Sequence, residues 1–207
     1  MDERSTRFAG FASVLGGVLT LLVSVPPRWY GLGETDSYVF DPELLSPLWV
    51  NRTLVPALSG LAVIGLLAGL TVLVRRDWAA YGRLRRWSSV LALLGFYALS
   101  TAAIGGLVLA GNQSGTEVFT AIAVLVAGGF GILFFVPGSI GLGYGYLRAG
   151  KRTVGGGLVA VPVLVPVFAY ASLSPIPGLL TMLPVGITWV LVGRDLLRSA
   201  ADQGSKR

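Results

Sequence analysis

Six stretches of this chain are long, apolar and free of Asp, Glu, Lys and Arg: residues 8–25, 54–74, 88–110, 118–147, 153–171 and 176–193. A helix rises 1.5 Å per residue, so roughly 20 residues cross a ~30 Å hydrocarbon core. Five of the stretches are close to that length. The fourth, at 30 residues, must tilt, kink at Pro137 or push its Gly-rich end into the interface. Hydrophobic residues make up 54 % of the chain and charged residues 13 %, whereas a soluble domain carries about 25 % charged residues. That much apolar surface requires a bilayer as its solvent. The expected fold is an all-α integral membrane protein with six transmembrane helices in one polytopic domain, 1–207. The first stretch reads as a retained helix, because MDERSTR mixes acids with bases and VSVPPRW lacks a small-residue cleavage pattern.

The basic residues orient the bundle. Of 16 Lys and Arg, 14 fall on one side when the helices alternate, leaving Arg28 and Arg52 on the other. Positive residues are retained on the cytoplasmic side, so the expected topology is N-in and C-in at the cell membrane. Segment 26–53 is then an extracytoplasmic loop and 194–207 a cytoplasmic tail. The net charge of +6 is in this reading a topology signal. Its partner is a lipid bilayer with an anionic inner leaflet, and nucleic acid is not expected. Arg outnumbers Lys fourteen to two and Cys is absent. This balance resembles a GC-rich, archaeal-like composition.

Within the outer loop, Asp41-Pro42-Glu43 reads as an N-cap, a first-turn proline and a first-turn acid. A short interfacial helix should follow, carrying Leu44, Leu45, Leu48 and Trp49. Two glycosylation sequons begin at Asn51 and Asn112, both on the expected outer side.

Small residues suggest how the helices pack. Ala12, Gly16, Thr20 and Ser24 recur at every fourth position of the first helix, Gly65 and Gly69 mark the second, and Ala98, Ala102, Gly106 and Ala110 mark the third. Such stripes let backbones approach closely in lipid, either within one bundle or across a homo-oligomer interface. The later helices carry Pro137, Pro162, Pro166 and Pro184. Each removes a backbone hydrogen bond and can free the carbonyl four residues earlier, so these sites are candidate hinges or pore-lining positions.

The segment RRDWAAYGRLRRW concentrates Arg75, Arg76, Arg83, Arg85 and Arg86 with Trp78 and Trp87. Arginines and indoles together suit the headgroup layer, as anchors, as lipid-headgroup contacts or as a surface for a membrane-protein partner.

Catalytic signatures are missing. With no Cys and no His, the sequence offers no thiolate, no imidazole base and none of the commonest metal ligands. GLGYG lies inside an apolar span and lacks the strand–turn–helix context of a nucleotide loop. No cofactor is expected. Uncharged spans disfavour proton relays and ion-coupled carriers, which place ionisable groups at depth. The residues favour a non-catalytic structural, assembly or accessory membrane subunit. The alternative is a small permease or channel with its site among the Pro/Gly-rich helices 4–6.

Overall fold

The apolar stretches form six α-helices. The computed structural model describes residues 3–24, 49–50, 54–111, 117–171 and 178–204, among which no strand occurs. Helix α1 runs over Glu3–Val23, α2 over Val55–Asp77, α3 over Arg83–Gly111, α4 over Glu117–Arg148, α5 over Arg152–Ala171 and α6 over Gly178–Gly204. A single 3₁₀ turn, Trp78–Ala80, joins α2 to α3. Five helices are long and apolar enough to cross a membrane, and Arg152–Phe168 of α5 is a shorter apolar helix. Helix α6 continues well past residue 193, so most of the expected tail is helical. The interfacial helix after Asp41 lies outside the described residues except for Trp49 and Val50, and both sequons lie outside them entirely.

Cross-contacts show that the helices alternate in direction. Gly10 of α1 packs against Leu197 of α6, and Arg76 of α2 reaches Asp195 of α6. Tyr81, just before α3, bonds Tyr146 near the end of α4, and Lys151, just before α5, reaches Asp77 of α2. One end of the bundle therefore gathers the start of α1, the end of α2, the start of α3, the end of α4, the start of α5 and the end of α6. The basic segments share this end.

The exterior is built for hydrocarbon. Phe8, Phe11 and Leu22 on α1, Leu61 and Ile64 on α2, and Leu125, Phe130 and Leu133 on α4 are each more than half exposed. Contiguous apolar surface on that scale is rare on a protein bathed in water. Lipid chains solvate it without cost, and every span is a helix, which satisfies its own backbone.

Backbone proximity supplies what hydrophobic drive cannot. Helix α1 presents two small-residue faces. Ala12 and Gly16 meet Ala62 and Gly65 of α2, while Gly10 and Gly17 meet Gly193 and Gly186 of α6. A Cβ at Gly17 would stand 2.6 Å from the Gly186 carbonyl oxygen. Between α4 and α5, Gly143 and Gly155 face each other's carbonyls in the same way, at 2.8 and 2.7 Å. The stripes expected on α1 and α2 are thus internal seams. Thr20 and Ser24 turn back to their own helix, donating to the Gly16 and Thr20 carbonyls at 2.8 and 2.6 Å.

Helix α3 differs from expectation in register. Its seam with α4 runs through Ser88, Ala92, Gly95, Leu99 and Ala102, set against Gly141, Gly138, Phe135, Gly131 and Gly128. Of the expected stripe only Ala102 takes part, Ala98 is half-buried, and Gly106 and Ala110 lie beyond the described side chains. The spacing alternates between three and four residues, as two long antiparallel helices require to stay in contact.

The four prolines do not interrupt their helices, since α4, α5 and α6 run on through Pro137, Pro162, Pro166 and Pro184. The carbonyl freed by Pro162 belongs to Leu158, and it accepts the Ser139 hydroxyl of α4 at 2.5 Å.

Gly95→Ala is expected to lower the unfolding midpoint in mild detergent, at a cost of about 1–3 kcal/mol, because its Cβ would meet the Phe135 backbone. Gly129→Ala, where nothing lies within 4 Å, should leave the midpoint unchanged or raise it slightly through helix propensity. Thermal unfolding of the two variants side by side is the check; equal losses at both positions would dissociate the seam from stability.

Candidate functional site

The polar side chains of the bundle concentrate at its basic end. The apolar run of α2 stops at Val74, and the next turn carries Arg75, Arg76 and Asp77. Arg76 folds back on Asp77, its Nε and Nη2 donating to the two carboxylate oxygens at 2.8 and 3.0 Å. The same Nη2 donates to Asp195 of α6 at 2.8 Å, and Nη1 donates to the Ser199 hydroxyl at 2.9 Å. Asp195 and Ser199 stand one turn apart on α6, and the Ser199 hydroxyl donates in turn to the Asp195 carbonyl at 2.9 Å. One guanidinium thus makes four charge-assisted bonds, the stronger class of hydrogen bond, two within α2 and two that tie α2 to α6.

The α4–α5 turn adds a second helix pair. Gly150 adopts a left-handed φ of 79°, where an L side chain would be strained. Its N–H bonds the Leu147 carbonyl at 3.1 Å and the Lys151 N–H bonds the Tyr146 carbonyl at 3.0 Å, which is the Schellman arrangement. This turn places the Lys151 ammonium 3.3 Å from Asp77 and 3.7 Å from Asp195. Lys151 is 36 % exposed, so its pairing contributes less than about 1 kcal/mol. Two carboxylates are neutralised by two cations, and the cluster closes the basic end of the bundle across α2, α4, α5 and α6.

Two tyrosines extend it. The Tyr146 hydroxyl donates to Asp77 at 3.0 Å. Having given its proton there, it must accept from the Tyr81 hydroxyl, 2.6 Å away. Burial pushes the Tyr81 phenol above its usual value, so it stays a neutral donor. The Arg85 guanidinium lies over both rings, 3.9 Å from the Tyr81 centroid and 4.1 Å from that of Tyr146, a desolvated cation–π stack. Its Nε is buried without an acceptor among the described residues.

Beside this stack opens a cleft of about 610 Å³ lined by Trp78, Tyr81, Arg83, Arg86, Trp87 and Val90. Trp78 and Trp87 are 39 % and 61 % exposed. A second cavity, of about 540 Å³, lies deeper between the helices. Phe96, Phe135, Met182, Pro162, Pro166 and Trp189 are among its mostly apolar walls. Trp189 is buried, stacks on Phe96 at 5.1 Å and 22°, and donates its indole N–H to the Leu66 carbonyl at 2.7 Å. The Ser13 hydroxyl donates to the Trp189 carbonyl at 2.9 Å, so α1, α2 and α6 are pinned at one level.

The residues singled out from sequence therefore separate into distinct groups. Trp78, Arg83, Arg86 and Trp87 line one cleft, and Arg75 is exposed outside its lining. Arg76 is 9 % exposed and committed to carboxylates, and Arg85 is committed to the tyrosines; neither is free to meet a headgroup through its full donor set. Pro162 and Pro166 border the deep cavity, Pro184 is buried, and Pro137 faces outward. Sequence reasoning passed over Asp77, Asp195, Lys151, Ser199, Tyr81 and Tyr146 as site residues. The available signal was a single Asp following Arg in each of two basic segments, RRDW and GRDLL, where an acid on a basic surface implies a partner.

Comparison of the chain with known protein families, curated proteins and solved structures finds no match. Among the described residues no group of three or more His, Cys, Asp or Glu is placed to hold a metal ion. Both carboxylates are paired with the same two cations, an arrangement suited to holding helices together.

Arg76→Met is expected to cost about 2–3 kcal/mol of stability, the usual scale for hydrogen bonds to charged groups. Arg75→Met, at an exposed neighbour, should stay within about 0.5 kcal/mol of wild type. Chemical or thermal unfolding in mild detergent reads both, and an Arg76 variant as stable as the Arg75 variant would remove the cluster's structural role.

Proposed function

We propose that this chain is a non-catalytic, multi-pass subunit of the cell membrane, acting as a structural, assembly or accessory protein with both termini in the cytoplasm. The observation that carries the reading is how the interior polar groups are used. The Ser59, Ser100 and Thr101 hydroxyls bond carbonyls of their own helices. Ser13, Ser139 and Trp189 bond carbonyls of neighbouring helices. These groups hold the bundle together and leave the deep cavity with apolar walls, a poor path for a polar solute. The basic end, in this reading, faces the anionic inner leaflet. The exposed apolar faces of α1 and α4 are the surfaces left for a membrane-protein partner or a second copy of this chain.

A second reading, a small permease or channel, draws on the cavity bordered by Pro162 and Pro166 between α5 and the rest of the bundle. A cargo there would be apolar, since the walls offer few free hydrogen-bonding groups.

Affinity purification from native membranes in mild detergent is expected to recover a stoichiometric partner, and reconstituted liposomes are expected to show no solute flux. Flux that disappears on Pro162→Ala or Pro166→Ala would replace the first reading with the second. The orientation has its own check. The chain has no Cys, so Ser114→Cys should react with a membrane-impermeant maleimide on intact cells and Ser205→Cys only after permeabilisation. The opposite pattern would invert the topology.

A further inference from the structure

The start of α3 carries an electrostatic imbalance that the fold itself does not resolve. Arg83, Arg85 and Arg86 all lie in its first turn, and no acid accompanies them. A helix N-terminus is already positive, with free N–H groups, and Gly82 before it has no side chain with which to cap them. The ion pairs of the basic end are made by Arg76 and Lys151 with Asp77 and Asp195. Those two carboxylates are engaged by their own cations. Among the described residues no carboxylate lies within salt-bridge distance of Arg83, Arg85 or Arg86. Arg86 finds the Trp78 ring at 5.9 Å, a distant cation–π contact, and the buried Arg85 Nε finds no acceptor. With Arg85 held over the two tyrosine rings, Arg83 and Arg86 are the exposed guanidinium groups at this positive helix end that call for an anion from outside the chain.

The shape beside them says what kind. The cleft of about 610 Å³ is polar where Arg83 and Arg86 stand and apolar where Trp78, Trp87 and Val90 stand. Arg83 and Arg86 are three residues apart on one helix face, so both can address one anion. Val90 lies one turn further along α3, and α3 proceeds from there into its apolar span. The cleft thus runs from charge to hydrocarbon in the direction of the bilayer interior. Trp87, 61 % exposed, offers an indole at the level where such rings sit between headgroup and chain.

We propose that this cleft is a binding site for one anionic phospholipid, its phosphate held by Arg83, Arg86 and the first-turn N–H groups of α3, and its glycerol and upper acyl chain laid against Trp78, Trp87 and Val90. Guanidinium groups match phosphate oxygens with two-pronged donors, and the helix end adds a favourable field. The site goes beyond the structural role argued above and does not depend on it, since a permease could carry the same lipid.

The test is native mass spectrometry of the full chain in mild detergent, titrated with dioleoyl phosphatidylglycerol, dioleoyl phosphatidylcholine or glycerol phosphate. The wild-type chain is expected to retain one phosphatidylglycerol, with phosphatidylcholine at least tenfold weaker and glycerol phosphate, lacking chains, weaker again. Each basic residue facing an anionic lipid is worth about fivefold in affinity, so Arg83→Gln with Arg86→Gln should weaken retention by about 25-fold. Both side chains are exposed, and the unfolding midpoint should not move. Arg75→Gln with Arg194→Gln removes two exposed arginines of the same end outside the cleft and should change retention less than twofold. Equal losses in the two double variants would reduce the effect to surface charge and overturn the site. Equal retention of phosphatidylcholine would remove the anion, and glycerol phosphate binding as tightly as the lipid would remove the acyl wall; either result overturns the proposal.

Discussion

A leucine on a membrane helix is as well solvated by lipid chains as by another leucine, so burial alone gives these helices little reason to associate. What remains is contact between backbones, and contact requires that side chains be absent. The glycines of this chain supply that condition at each main seam: Gly10 and Gly17 against α6, Gly16 and Gly65 between α1 and α2, Gly95 and Gly138 between α3 and α4, and Gly143 and Gly155 between α4 and α5. Dispersion between closely spaced atoms falls steeply with a gap of an ångström. An added methyl group at these positions therefore acts on the whole face of a helix. The large exposed residues, by contrast, face lipid and can vary in shape with little effect on the fold.

Close approach also determines where the polar groups go. When two helices lie near enough, a short hydroxyl can cross from one to the other. Ser13 reaches the Trp189 carbonyl beside the Gly17–Gly186 contact, and Ser139 reaches Leu158 between Gly143–Gly155 and the proline pair of α5. Among the described side chains the charged ones lie at the basic end, where water can still reach part of Lys151 and Asp195. Four hydrogen bonds to three partners offset the desolvation of Arg76, and removing a carboxylate partner leaves a charge in a poorly solvated place.

How much of this was legible before the structure depends on the range of each signal. The spans were legible because length and lack of charge are properties of single segments, and the six helices fall on the six apolar stretches. The α1 and α2 seams were legible because Gly16, Gly65 and Gly69 stand out against leucine. The α3 seam was not, because Ala92, Gly95, Ala98 and Ala102 offer two overlapping stripes and only the partner helix selects between them. The ion cluster was less legible still. Arg76 and Asp195 are 119 positions apart, and nothing local distinguishes an arginine that will meet a carboxylate from one that will meet a headgroup. Of the arginines grouped together from sequence, the structure assigns Arg76 and Arg85 to the interior of the basic end and leaves Arg83 and Arg86 lining a cleft.

The prolines show the same limit in sharper form. From sequence, Pro162 is a helix breaker that exposes a carbonyl, and an exposed carbonyl in a membrane is an ion ligand in waiting. In the bundle that carbonyl, on Leu158, is bonded by Ser139 from the next helix, and α5 continues through the proline. The lost hydrogen bond within α5 is thereby replaced by one to α4. A broken helix and a cross-linked helix have the same local sequence, and they differ only in whether a neighbour arrives with a donor at the right height. Ser139 arrives because Gly138 and Gly141 let α4 lie close to α3 while Gly143 and Gly155 let it lie close to α5. The glycine seams thus decide the chemical meaning of the prolines. A residue pattern that reads as a pore by its composition becomes, in this register, a brace.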